Sequence, residues 1–111
     1  MTKVKISVVK KLSAQELYGD APPVAYNQDT VTAECDQFEL GQEFVLDTIN
    51  CPPGFCGWAF ADIQRDLVHV FFRGSYPWLK EKGVAVSCCT DGLRPVVFRL
   101  ERIEEPAVPE P

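Results

Sequence analysis

Histidine is almost missing from this 111-residue sequence: His69 stands alone. A Cys-His dyad therefore has a single candidate. Nowhere do about 18 apolar residues run together, the length a membrane-crossing helix needs, so no membrane partner is expected. The first residues, Met-Thr-Lys-Val-Lys-Ile-Ser-Val-Val-Lys, contain no apolar run of signal-peptide length. With no export signal, the expected location is cytoplasmic. Clustered positive charge is lacking too. Eleven basic residues face sixteen acidic ones, a formal charge of −5, and the basic residues stand singly or in pairs such as Lys10-Lys11. Phosphate backbones are held by clustered cations, so nucleic acid is not expected as a partner.

Five cysteines are present, Cys35, Cys51, Cys56, Cys88 and Cys89. An odd count without an export signal argues for free thiols or thiolates and against a closed disulfide framework. The hydrophobic fraction of 46% suits a globular chain. A chain of this length fits one domain. Such a domain buries roughly 65% of its unfolded surface, so pairing into a homo-oligomer would be an easy way to add core. The expected organisation is one domain over residues 1–104, followed by a flexible Pro/Glu tail over 105–111.

Residues 3–11 alternate, with Val4, Ile6 and Val8 on one face and Lys3, Lys5 and Ser7 on the other, the period of a half-buried strand. The stretch 13–36 is read as a loop with a short helical turn over 14–18, because Gly19-Asp20-Ala21-Pro22-Pro23 cannot continue a helix or a central strand. A second strand falls within 37–47, its apolar part being Glu43-Phe44-Val45-Leu46 after Gly41-Gln42; Asn50-Cys51-Pro52-Pro53-Gly54 is a compact turn. Helical spacing of Ala59, Ile63, Leu67, Val70 and Phe71 predicts the main helix over 58–72, with Gly74 as the residue that ends it. Residues 84–89 and 96–103 read as two antiparallel strands, and Asp91-Gly92 between them supplies positive-φ turn chemistry. The order strand, loop, strand, helix, hairpin suggests an α+β fold: a small, mostly antiparallel sheet or open barrel with one main helix packed on it.

Cys56 is the foremost thiol. It stands at the end of a turn, just before the helix, where unpaired N–H groups and the helix dipole favour an anion. Cys88 and Cys89 are neighbours on a strand, so one should enter the core or a cleft and the other face outward. Cys51 and Cys56 form C-x₄-C, a weak metal signature. His69 lies about 20 Å along the helix from Cys56, so a direct dyad is not expected. Asp62 is a surface carboxylate or, if its side of the helix faces a pocket, a general acid/base. Asp91 suffices as a turn-former, while the Arg94 guanidinium on a loop suits a carboxylate or phosphate group. Trp58, Tyr76 and Trp78, at element edges, close the core or wall a small-molecule pocket.

The blocks Pro53-Gly54-Phe55-Cys56-Gly57-Trp58-Ala59-Phe60-Ala61-Asp62, Tyr76-Pro77-Trp78 and Cys88-Cys89-Thr90-Asp91-Gly92-Leu93-Arg94-Pro95-Val96-Val97-Phe98 resemble a family of small uncharacterised proteins of bacteria and archaea. The resemblance runs from the first strand to Ile103, and Cys35 ahead of Phe38 and Gly41-Gln42 also fits; Cys51 does not. It implies a site drawn from Cys35, Cys56, Cys88, Cys89, Trp58, Asp62, Trp78, Asp91 and Arg94. It carries no reaction with it.

Three functions compete. The first is a cysteine-dependent enzyme with a small-molecule ligand, in which Cys56, Cys88 or Cys89 acts as nucleophile or acid/base. Asp62 or Asp91 would then move the proton and Arg94 anchor an anion, with Trp58 and Trp78 lining the site. The second is a metal protein holding zinc or iron through Cys35, Cys56, Cys88 and Cys89. The third is a non-catalytic binding or assembly domain. In the site expected, Cys56, Asp62, Arg94 and one of Cys88 and Cys89 line one cleft walled by Trp58 or Trp78.

Overall fold

A computed structural model describes residues 2–23 and 34–104. The expected tail at 105–111 and part of the expected loop after residue 23 lie outside the described residues.

Four strands, β1 (Thr2–Lys11), β2 (Glu43–Leu46), β3 (Val84–Cys88) and β4 (Val96–Glu104), form one sheet in the order β2-β1-β4-β3, every pair antiparallel. A short helix, α1 (Ala14–Tyr18), follows β1, and the main helix, α2 (Gly57–Phe71), packs on one face of the sheet. The architecture is the small α+β fold expected.

Alternation decides which face is buried. Val4, Ile6 and Val8 point under α2 together with Leu46, Ala85, Val96, Phe98 and Leu100. Ile63, Leu67 and Val70 of α2 close over them, each fully buried. The opposite face carries charge: Lys5 sits between Glu43 at 3.2 Å and Glu101 at 3.8 Å, and Arg99 pairs with Glu81 at 2.8 Å. Such pairs on a half-exposed surface add little stability but keep that face wetted. At Val9 the alternation breaks. The β1–β4 register shifts between Val8 and Lys10, and exposed Val9 is the extra residue of a bulge.

The two helices are bounded by different devices, α1 at its start and α2 at its end. Ser13 caps α1: its hydroxyl accepts from Glu16 N–H at 3.1 Å, and the Glu16 carboxylate accepts from Ser13 N–H at 3.1 Å. At the far end of α2 the expected terminator moves by one position. Arg73 takes the left-handed conformation, φ 70°, and donates to Val70 O while Gly74 N–H donates to His69 O at 2.7 Å. That is a Schellman motif with arginine in the usual glycine place. Gly74 is required for another reason, since a Cβ there would lie 2.4 Å from His69 Nε2. Arg102, on β4, donates to Val70 O at 3.3 Å and so satisfies a carbonyl of the last turn. The helix itself is offset by one residue from the expected 58–72, leaving Phe72 exposed beyond it.

Around the start of α2 the core becomes aromatic. Phe55 lies 4.9 Å from Phe38, 4.9 Å from Phe44 and 5.5 Å from Phe98, ring centroid to centroid, with Phe38 5.1 Å from Phe98. Edge-to-face packing of this kind adds to plain area burial. It pins the residue before Cys56 to the sheet, so the helix N-terminus has a fixed place.

Candidate functional site

The N-terminus of α2 and the segment joining β3 to β4 enclose a cavity of about 530 Å³. From the helix side come Cys56, Trp58, Ala59 and Asp62; from the connecting segment come Cys89, Thr90, Asp91 and Arg94; residues 35–38 supply the third wall. Buried Phe38 and Val96 give it an apolar floor. Trp58, 80% exposed, stands at its mouth.

Cys56 is the N-cap residue of α2, extended at φ −62°, ψ 121°, and its side chain makes no capping hydrogen bond. No acidic residue occupies the first turn. The positive end of the helix dipole is therefore uncompensated beside this sulfur. Gly54, at φ +79°, and the Phe55 N–H to Pro52 O hydrogen bond of 3.3 Å fold the preceding Pro-Pro-Gly-Phe turn back on itself. Cys51 flanks that turn. Its thiol lies 3.7 Å from Pro52 O and 3.7 Å from Phe55 O, and burial, then the neighbouring Cys56 charge, push it upward.

Asp62 is committed to structure. Its Oδ2 accepts from Thr90 N–H at 2.7 Å and from the Thr90 hydroxyl at 2.9 Å, tying the middle of α2 to the start of the β3–β4 connection. Asp91 Oδ1 accepts from Leu93 N–H at 2.9 Å and Arg94 N–H at 3.2 Å, an Asx turn. That side-chain turn replaces the positive-φ hairpin expected from Asp91-Gly92, and Gly92 keeps an ordinary φ. Arg94 approaches Asp91 at 4.0 Å. Its Nε is shielded from solvent and has no hydrogen-bond partner among the described residues. Tyr18 of α1 donates to Gly92 O at 2.9 Å and holds the same segment from the other side.

The adjacent cysteines divide as alternation requires. Cys89 is buried in the cavity wall, where its sulfur accepts from Val96 N–H at 3.3 Å; Cys88 is exposed and lies off the cavity. All five cysteines are free thiols.

Two expectations are corrected here. Trp78 does not wall this cleft. It follows the C-terminal end of α2, a helix of fifteen residues and so roughly 22 Å long, and lines a separate groove with His69, Asp66 and Val86. There Trp78 stacks on Tyr76, centroids 4.8 Å apart, and the Tyr76 hydroxyl donates to buried Asp66 at 2.5 Å. Burial, that hydrogen bond and the Asp66 charge push the Tyr76 phenol up to about 12. The thiol quartet Cys35, Cys56, Cys88 and Cys89 is the second correction. Cys88 faces away, and among the described residues no three His, Cys, Asp or Glu side chains stand together to hold a metal ion.

Thr90, Tyr18 and Phe38 were not anticipated as parts of the site. The Ser13-x-x-Glu16 capping box marked the helix that carries Tyr18. Nothing local marked Thr90, whose partner is 28 residues away. No family model, curated protein or solved structure matches this chain. No helix among the described residues is long and apolar enough to cross a membrane.

Proposed function

We propose that the cavity is a small-molecule site with Cys56 as its nucleophilic thiol. One observation carries this reading: Cys35, Cys56 and Cys89, three of five free thiols, meet a lone arginine and an exposed tryptophan on the wall of one cavity. Apolar residues and Trp58 would hold the body of a ligand, and Arg94, the only cation among the described residues on the wall, would meet a carboxylate or similar anion.

The supporting groups narrow the chemistry. No histidine lines the cavity. Asp62 and Asp91 each spend an oxygen on the β3–β4 connection, so they are positioning groups before they are proton carriers. Reactions that need a dedicated shuttle between nucleophile and leaving group are poorly served. Attack by a thiolate on a centre whose leaving group departs as an anion is well served. A thiol site of this kind belongs in a reducing, cytoplasmic setting.

The test is limiting iodoacetamide on the reduced full chain, with labelled positions mapped by mass spectrometry. Cys56 should take label well before Cys89, which is walled in. A Cys56 that stays unlabelled while Cys89 reacts would overturn the reading.

A further inference from the structure

Building on that reading of Cys56, we propose that Cys51 and Cys56 form a redox dithiol that reduces small disulfides, Cys56 attacking and Cys51 resolving. The geometry begins with the turn between them. Pro52, Pro53, Gly54 and Phe55 fold back through the Phe55 N–H to Pro52 O bond. This brings the Cys51 sulfur to 3.7 Å from the Phe55 carbonyl oxygen, whose carbon is bonded to the Cys56 nitrogen. The Cys51 sulfur thus lies against the carbonyl of the residue that precedes Cys56. Cys51 is exposed, so it can move onto a partner, whereas the Cys89 sulfur is buried and held by Val96 N–H.

The order of events follows from position. Cys56 caps the N-terminus of α2, where the helix dipole favours an anion, and opens on the cavity that would hold the disulfide, whereas Cys51 lies off the cavity wall. Cys56 is therefore the attacker. Its thiolate displaces one half of a disulfide R–S–S–R, forming Cys56–S–S–R and releasing R–S⁻. Cys51 loses its proton to solvent and attacks the Cys56 sulfur, closing a Cys51–Cys56 disulfide and releasing the second R–S⁻. The substrate gains two electrons and the protein loses two; an external thiol returns the pair to its dithiol form. No protein acid or base is required, which fits the occupied carboxylates. Arg94 suits disulfides that carry a carboxylate.

The experiment uses 5,5′-dithiobis(2-nitrobenzoate), a carboxylate-bearing disulfide, at limiting amount with the reduced full chain. Two thionitrobenzoates should be released per reagent, and peptide mapping should find Cys51 bridged to Cys56. In Cys51→Ser only one should be released, with the adduct trapped on Cys56; Cys51→Ala should behave alike. An adduct that persists on Cys56 in the wild-type chain, or a bridge from Cys56 to a different cysteine, overturns the pairing. If that happens while iodoacetamide still labels Cys56, the site reading stands and only the dithiol falls. If Cys56 takes neither reagent, both fall.

Discussion

Replacing Asp62 by alanine should loosen the segment that forms one wall of the cavity while leaving the core intact. The Asp62 carboxylate accepts two hydrogen bonds from Thr90, at 2.7 and 2.9 Å. Hydrogen bonds to a charged group contribute about 1.5–3 kcal/mol each when buried. Thr90 is exposed and Asp62 half-buried, so about 1 kcal/mol apiece is the appropriate figure, roughly 2 kcal/mol together. At about 4 °C per kcal/mol for a domain of this size, the melting temperature should fall by roughly 8 °C. Urea unfolding should show a lower midpoint with an unchanged slope, since the surface exposed on unfolding is the same. Hydrogen exchange localises the effect: the Thr90 amide should exchange roughly tenfold faster, while the Leu67 and Val70 amides keep their protection up to the global loss. Asp62→Asn retains an acceptor oxygen without the charge and should lose about half as much. An Asp62→Ala protein with wild-type stability and wild-type Thr90 exchange would refute the latch.

Leu67→Ala should cost about 2–5 kcal/mol in urea unfolding, because the side chain is fully buried between α2 and the sheet. Tyr76→Phe leaves a buried Asp66 oxygen without its donor and should cost about 1–2 kcal/mol at neutral pH. The folded phenol, pushed up to about 12, holds its proton beyond the usual value near 10. Its contribution is complete below pH ~10 and is lost as pH climbs through the folded value. Urea midpoints between pH 9 and 11 should therefore decline less steeply in the variant than in wild type. Arg94→Ala should lower the rate of Cys56 labelling by iodoacetate relative to iodoacetamide by roughly threefold, the worth of a partly exposed ion pair; an unchanged ratio would remove Arg94 as an anion anchor.

Much of this fold was legible because its periods are strong. Val4, Ile6 and Val8 read as a strand face, Ile63, Leu67 and Val70 as a helix face, and both faces meet in the core. Alternation also foretold that Cys88 and Cys89 would part, though not which of them would be buried. Register decides that: Cys88 pairs with Val97, on the face away from α2. The helix end was misplaced by one residue because Gly74 looked like a terminator, whereas its role is to make room for the His69 ring. Of the two tryptophans offered for the cleft wall, Trp58 lines it and Trp78 does not, and proximity across some 22 Å of helix leaves no local mark that would separate them. The Asp62–Thr90 latch and the Phe38–Phe55 contact were invisible for the same reason. Each joins segments whose meeting is a property of the folded sheet.

The central claim is that the Cys56 sulfur opens into the cavity shared with the β3–β4 connection. The most direct measurement alkylates Cys56 alone, in a chain whose other four cysteines are serine, and compares ¹H–¹⁵N spectra before and after. The Trp58 indole and the Thr90, Asp91 and Arg94 amides should shift, while the Trp78 indole at the far groove stays still. Shifts confined to residues 51–57, with residues 90–94 unmoved, would show that the thiol faces away from the cavity and would contradict the claim.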